Sequence, residues 1–475
     1  MATDRRTVLT RAGVRVLAGA AGLAASAVVA LAAFTLPLPS AHAQPASRTV
    51  TPVPASASVA CPGGLLSLGA GGSAGSTAAL TLLGESTVVS GGGSGTPSAV
   101  ALKAVDASGS SPQAFELPAK GAGAEPLLAA AESTSVRTEE VRGLAAANCA
   151  QPDFEQWLVG GATSLGATTL VVLGNPGDVA ATVEIDAYSE QGLAEAAGGK
   201  GILVQPHTQQ VVPLSGLVPN ATATVVRVTS TGGTVSAQLQ ESEISGVTPQ
   251  GAEWIGPGAS PAKKLVIPGA VVDTTGIKGA TATDDGDGGV PVLRVLPAGT
   301  KDAKLTIGVK ADKGGSGGTA TTSTVSHGVV SEIPLEHLGN GTYTVTVEST
   351  EPVVAAVHTG TVDAKTGSDF AWYAAAPALS GAVALPVAPG PAATLHLANT
   401  SGAAVTVKLA GPGGGSIAVP AGASISRGLK SSGVLTTSDA QGLYASISYK
   451  TKGQLAAYVV YPTSTSASAL TVYKR

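Results

Sequence analysis

The sequence predicts an all-β protein: tandem immunoglobulin-like β-sandwich domains after an N-terminal signal or anchor helix. Three observations predict it. Valine and leucine recur at every second position in short runs, as a half-buried strand requires, and the runs are bounded by clusters of Gly, Pro, Asn and Asp. The spacing of these runs repeats along the chain. No 12-residue stretch beyond the leader has a convincing 3.6-residue period. The chain has 475 residues, too many for one ordinary domain, and is 44% apolar but only 12% charged. It therefore has enough apolar side chains to bury, despite 63 Gly and 30 Pro.

Residues 1–43 read as a signal peptide or membrane anchor. Arg5, Arg6, Arg11 and Arg15 precede an uncharged stretch from Val16 to Leu36, and Ala41-His42-Ala43 forms an A-x-A site. A retained anchor is the alternative, because 21 apolar residues span a bilayer core of about 30 Å. Arg5-Arg6 also allows a twin-arginine export route. Residues 44–60, with Pro45, Pro52 and Pro54, read as a Pro/Ala/Ser-rich linker. Residues 44–475 carry 23 Lys plus Arg against 30 Asp plus Glu, and this acidic balance disfavours nucleic acid as a partner.

Residues 61–150 are read as a divergent N-terminal β domain with strands at 80–83, 99–105, 114–117 and 133–137, although Leu127 to Ala131 could instead begin a short helix. Cys61 and Cys149 bracket this domain. In an oxidising compartment their pairing would constrain the unfolded chain by roughly 4–5 kcal/mol, with two free thiols as the alternative.

Three further units follow, at 151–250, 251–362 and 363–475. Trp157, Trp254 and Trp372 occur in similar local settings, each read as opening a unit. Val171 and Val183, Leu293 and Leu305, and Leu395 and Val407 mark paired strands at a constant offset of 12 residues. Because a one-residue slip would turn every side chain over, the constant offset specifies which face is buried. Val212 to Leu217, Ile333 to Leu338 and Ile425 to Leu429 form a second matched set.

Cys61-Pro62, Gly143-Leu144-Ala145-Ala146 leading to Cys149, Trp157-Leu158-Val159-Gly160-Gly161 and the strand ending Asn175-Pro176 resemble an uncharacterised family of exported actinobacterial proteins, a domain of unknown function. That resemblance implies tandem β-sandwich-like units, a signal or anchor and a cell-envelope location. It implies no activity.

The search for chemistry gives little. Ser73 and Ser316 sit in G-x-S-x-G runs, but a nucleophile elbow needs a strand-to-helix turn and both runs are glycine loops. Asp284, Asp285 and Asp287 could meet calcium, yet the twelfth position of an EF-hand register is Leu296 rather than Glu. His207, His327, His337, His358 and His396 have no zinc-ligand spacing. Glu139 and Glu140 adjoin Arg137 and Arg142, and read better as a solvated charged strand than as a glycosidase pair. The sequence thus assigns no catalytic residue, cofactor or metal. Trp157, Trp254 and Trp372 remain either core plugs or platforms for a sugar. The expected role is a non-enzymatic exported envelope protein, meeting an envelope protein or cell-wall polymer and touching the membrane only through its N-terminal segment. A carbohydrate or cell-wall binding module is the alternative, and an extracellular hydrolase a more distant one.

Overall fold

The computed structural model describes residues 19–28, 31, 47–50, 56–68, 80–93, 95–109, 111–119, 126–276, 290–312, 319–462 and 470–473. Ser73, Ser316 and Asp284 to Gly289 lie outside them, as does most of the leader. The chain divides into two compact units. One holds residues 1–52 and 467–475, with helical residues 19–28 and an antiparallel pair, Ser47–Val50 with Leu470–Tyr473. No helix among the described residues is long and apolar enough to cross a membrane.

The other unit, residues 53–466, is nearly all β. Its first segment contains β1 (Ala57–Ala60), β2 (Leu65–Leu68), β3 (Leu80–Gly84), β4 (Thr87–Gly92), β5 (Ser98–Ala101), β6 (Gln113–Leu117), β7 (Leu128–Arg137) and β8 (Arg142–Asn148). The helix considered at Leu127 to Ala131 is overturned: Leu128 begins β7. Pairing with β4 on one side and β8 on the other overrides the helical preference of its alanines.

The second segment runs β9 (Glu155–Val159), β10 (Ala167–Asn175), β11 (Ala181–Ser189), β12 (Ile202–Val204), β13 (Thr208–Pro213), β14 (Thr224–Gly232), β15 (Ser236–Ser245) and β16 (Thr248–Ile255). The third runs β17 (Ala262–Val272), β18 (Val292–Pro297), β19 (Ala303–Ala311), β20 (Thr319–Val325), β21 (Ser331–Pro334), β22 (Gly341–Asp363) and β23 (Gly367–Ala374). The fourth runs β24 (Val383–Val387), β25 (Thr394–Asn399), β26 (Val405–Leu409), β27 (Gly415–Val419), β28 (Ser424–Gly428), β29 (Gly433–Thr437), β30 (Leu443–Thr451) and β31 (Gln454–Val459).

Pairing order recurs. In the second segment one sheet is β9-β14-β11-β12 and the other β16-β15-β10-β13. In the third, the two halves of β22 do the work of two strands: β17-β22-β19-β20 and β23-β22-β18-β21. In the fourth, β31-β30-β25-β28 repeats the second sheet, and β24-β29 joins β26-β27 through an Ala410–Thr436 bridge. The first segment keeps shorter versions, β1-β6-β5 and β8-β7-β4. Val171, Val183, Leu293, Leu305, Leu395 and Val407 are all buried. The expected pairing of the two strands in each set is overturned: β10 pairs with β13 and β15 while β11 pairs with β12 and β14, and β18 and β19, like β25 and β26, also pair with other strands, because the two strands of each set face one another across a core instead of forming a hairpin.

Two of the three tryptophans do not open these segments. Trp254 lies on β16 opposite Gln240, and Trp372 on β23 opposite His358, so both belong to the last strand of the segment before. A boundary at residue 250 cuts β16, and one at 362 separates β22 from β23. Trp157 sits on a first strand, β9, and Ala457 occupies the last-strand position in the fourth segment. Local sequence could not show this, because strand membership is set by long-range pairing.

Each core is completed by another segment. Leu296, Val354, Phe370 and Trp372 of the third enter the core around Val171 and Val183 of the second. Leu455 and Ala457 of the fourth enter that of the third, and Leu144 and Ala146 of the first enter that of the fourth. Leu170, Val172 and Trp254 of the second pack with Leu65, Leu66 and Val136 of the first, closing the circuit.

Candidate functional site

The four last strands, β8, β16, β23 and β31, meet around the centre of this circuit. Two buried carboxylates stitch them. Asp369 accepts from the backbone N–H of Leu144, Ala252 and Leu455 at 2.9, 3.4 and 3.2 Å. Glu253 accepts from Ala146 and Ala457 at 3.1 and 3.0 Å. Burial raises the pKa of both well above the carboxylate range, while these N–H donors pull it back.

A more open site lies between the second and third segments. Arg294, on β18, is buried because the outer face of its sheet packs on the second segment. Its Nε donates to Glu332 at 2.9 Å, Nη1 to the carbonyls of Gly161 and Thr224, and Nη2 to Thr222, with Nη2 also 2.7 Å from Glu332. All five donors are engaged, so this guanidinium joins segments and has no fork left for an anion. It also lies 4.4 Å from the Trp372 ring centroid. Trp372 Nε1 donates to Glu241 at 2.6 Å. Burial raises the Glu241 pKa, against Arg294 and the indole N–H.

The ring of His358, opposite Trp372, is tilted against those of Trp372 and Phe370, with centroids 4.8 and 5.3 Å away. Desolvation of its ring and the Arg294 charge hold its pKa down at about 3, so the imidazole is neutral. Its ring has no hydrogen-bond partner among the described residues. These groups line a cavity of about 640 Å³, with Ala162, Leu165, Ile244 and Val292 as its apolar wall. Sequence patterning missed Arg294 and Glu241, whose one available signal is a charge interrupting an apolar strand.

The third and fourth segments meet at a different polar cluster. His396, 1% exposed, places Nε2 2.8 Å from Ser448 Oγ and Nδ1 2.9 Å from Ser426 Oγ, with Asp312 Oδ2 3.5 Å from Nδ1. Ser426 also bonds Asp312. Serine, histidine and aspartate are thus in triad order, but the cluster is sealed, and a second serine holds the Nδ1 side that an orienting carboxylate would occupy. It ties the residue that follows β19 to β25, β28 and β30.

The remaining sequence candidates are structural or surface features. Cys61 and Cys149 form a disulfide, both buried. Trp157, Trp254 and Trp372 are 6%, 1% and 4% exposed, and Arg227 lies 5.5 Å over the first. None offers an open face on which a sugar could stack, which corrects the expectation of a tryptophan platform. His207 meets Asp178 at 3.0 Å and His327 meets Asp302 at 3.1 Å, both at exposed loop positions, and His337 is exposed beside Glu336. Glu139 and Glu140 form the turn between β7 and β8 rather than a strand, because Thr138 closes the turn on Val141. No group of three or more His, Cys, Asp or Glu suited to a metal occurs among the described residues.

Comparison with known proteins gives no match among curated proteins. Among solved structures, the crystal structure of Thermotoga maritima 1070 aligns with 25% of this chain and 95% of its own, at 19% identity and a TM-score of 0.21, a likeness too slight to argue from. A family model described as a family of unknown function, DUF5719, matches residues 103–428. That match spans most of the chain, which therefore belongs to the family of unknown function DUF5719.

Proposed function

We propose that this protein is a non-enzymatic, exported scaffold of the cell envelope, built from tandem immunoglobulin-like β-sandwich modules that close on one another. The observation that carries the reading is where its buried polar groups go. Arg294, Glu253 and Asp369 each bond across a junction between segments, and His396 does so through Ser426, which bonds Asp312, so the side chains best suited to chemistry are consumed in holding the assembly together. Buried polar groups satisfied in this way specify one arrangement of neighbours. The Cys61–Cys149 bond supports an oxidising compartment, and the Arg-rich leader supports export to it.

The reading is tested by fractionating cells that express the full chain, with thiol alkylation before lysis. It expects protein outside the cytoplasm with neither cysteine alkylated, and no adduct with a fluorophosphonate. A cytoplasmic, fully alkylated chain, or labelling of any serine, overturns it.

A further inference from the structure

β20 ends the sheet β17-β22-β19-β20, and among the described residues it pairs only with β19. Its seven residues, Thr319-Ala320-Thr321-Thr322-Ser323-Thr324-Val325, run in unbroken register against Val309 to Ala303, with no bulge. Thr319 to Thr322 and Thr324 are exposed, so water reaches both faces of the strand. An outermost strand aims every second backbone N–H and C=O away from its sheet, and along β20 no described strand meets them.

Elsewhere the molecule blunts such edges. Lys103–Ala104 lie parallel to the outer side of β13, with the Lys103 N–H donating to His207 O at 2.9 Å. The Glu253 and Asp369 carboxylates take N–H groups of β8 and β31. β21 carries Glu332 and Pro334, and β28 carries Arg427. A charge, a proline or a short length each discourages an added strand. β20 has none of these. It is neutral, free of proline, and seven residues long, against three in β12 and five in β27, the strands that hold the same place in their segments.

The sequence of the edge selects the occupant. A second β20 laid antiparallel about Thr322 sets Thr321 against Ser323, Ala320 against Thr324 and Thr319 against Val325. No like charges oppose, and threonine beside serine or threonine is a favourable cross-strand pair. On β19, Lys310 lies just past the Thr319 end, and Asp302 precedes the strand at the Val325 end, both exposed. Antiparallel pairing turns the Lys310 end of each copy toward the Asp302 end of the other, so the flanking charges are complementary.

We propose that β20 is a dimerisation edge, pairing antiparallel with β20 of a second copy about Thr322 and joining two sheets into one. An antiparallel pair of identical strands has the two-fold symmetry of the commonest protein dimers. The inference goes beyond the scaffold reading and does not depend on it.

The test is sedimentation velocity of the purified full chain over about a hundredfold range of concentration, with a shift from monomer to dimer expected as concentration rises. Thr322 lies opposite Thr306 on the solvent face of the sheet, so Thr322→Lys and Thr322→Glu are expected to fold, which thermal unfolding checks. Each variant alone sets like charges against each other and is expected to lose the dimer. An equimolar mixture of the two is expected to recover a heterodimer. Three results overturn the proposal: a chain that stays monomeric throughout, a dimer that either folded variant leaves unchanged, or a mixture that recovers nothing.

Discussion

At the scale of single residues, two tryptophans in matching positions have different dependencies. Trp372 donates its indole N–H to buried Glu241, whereas Trp254 Nε1 has no partner among the described residues. Trp372→Phe leaves a buried carboxylate short of a donor, a loss of about 1–3 kcal/mol beyond the lost contact area. Trp254→Phe removes an unsatisfied donor and is expected to cost less. Urea unfolding of the two variants checks this, and equal losses would contradict it. Glu132 gives a pH signature. Burial raises its pKa to about 8, against the Gly63 N–H at 2.7 Å and Ser86, so the folded state keeps a proton that the unfolded chain releases above the ordinary glutamate range. The folded pKa is the higher one, so this stabilisation is complete below about 4.3 and is lost as pH rises through 8. Glu241, Glu253 and Asp369 are raised by burial and act in the same direction. The urea midpoint is expected to fall between pH 5 and about 8, and Glu132→Gln to flatten part of that slope.

At the scale of the element, small residues set how closely the last strands approach. A Cβ on Gly251 of β16 would come within 2.5 Å of Phe370 Cδ1 and 2.9 Å of Asp369 Oδ1. Gly251→Ala is therefore expected to push β16 away from β23 and cost about 1–3 kcal/mol. Gly299→Ala, where a Cβ meets nothing, serves as the matched control. Amide exchange along β16 and β23 is expected to quicken only in the first. These strands also show how far the sequence could be read. The inward face of each strand was legible, because alternation is local: Val171, Leu293 and Leu395 are buried. Which strands pair was not, because the strands 12 residues apart find other partners. The outward faces were not legible. Arg294 and His396 directly follow Leu293 and Leu395, so on the alternation rule both point away from their own cores. Only the neighbouring segment explains why they are buried. The same reason misled the reading of the tryptophans, whose shared local settings said nothing about which strand they pair with.

At the scale of the whole molecule, the consequence of shared cores is cooperativity. Tandem domains joined by small interfaces would unfold separately, and a destabilised one would leave its neighbours intact. Here residues 53–466 form one compact unit, and the first segment packs on the fourth as well as on the second. A charge at the Val171 position is therefore expected to lower the stability of all four segments together. Calorimetry of the chain is expected to give one transition whose calorimetric and van't Hoff enthalpies agree, and Val171→Asp to shift that transition without splitting it. The complementary experiment isolates residues 262–374. On its own this segment would expose Leu296, Val354, Phe370 and Trp372 to water and leave Arg294 without the Gly161 and Thr224 carbonyls. An exposed apolar patch of this kind is a liability in a monomer, so the fragment is expected to aggregate or remain unfolded. A soluble, cooperatively folded 262–374 would show that its outer face does not need the second segment, and the shared-core account of stability would then fail.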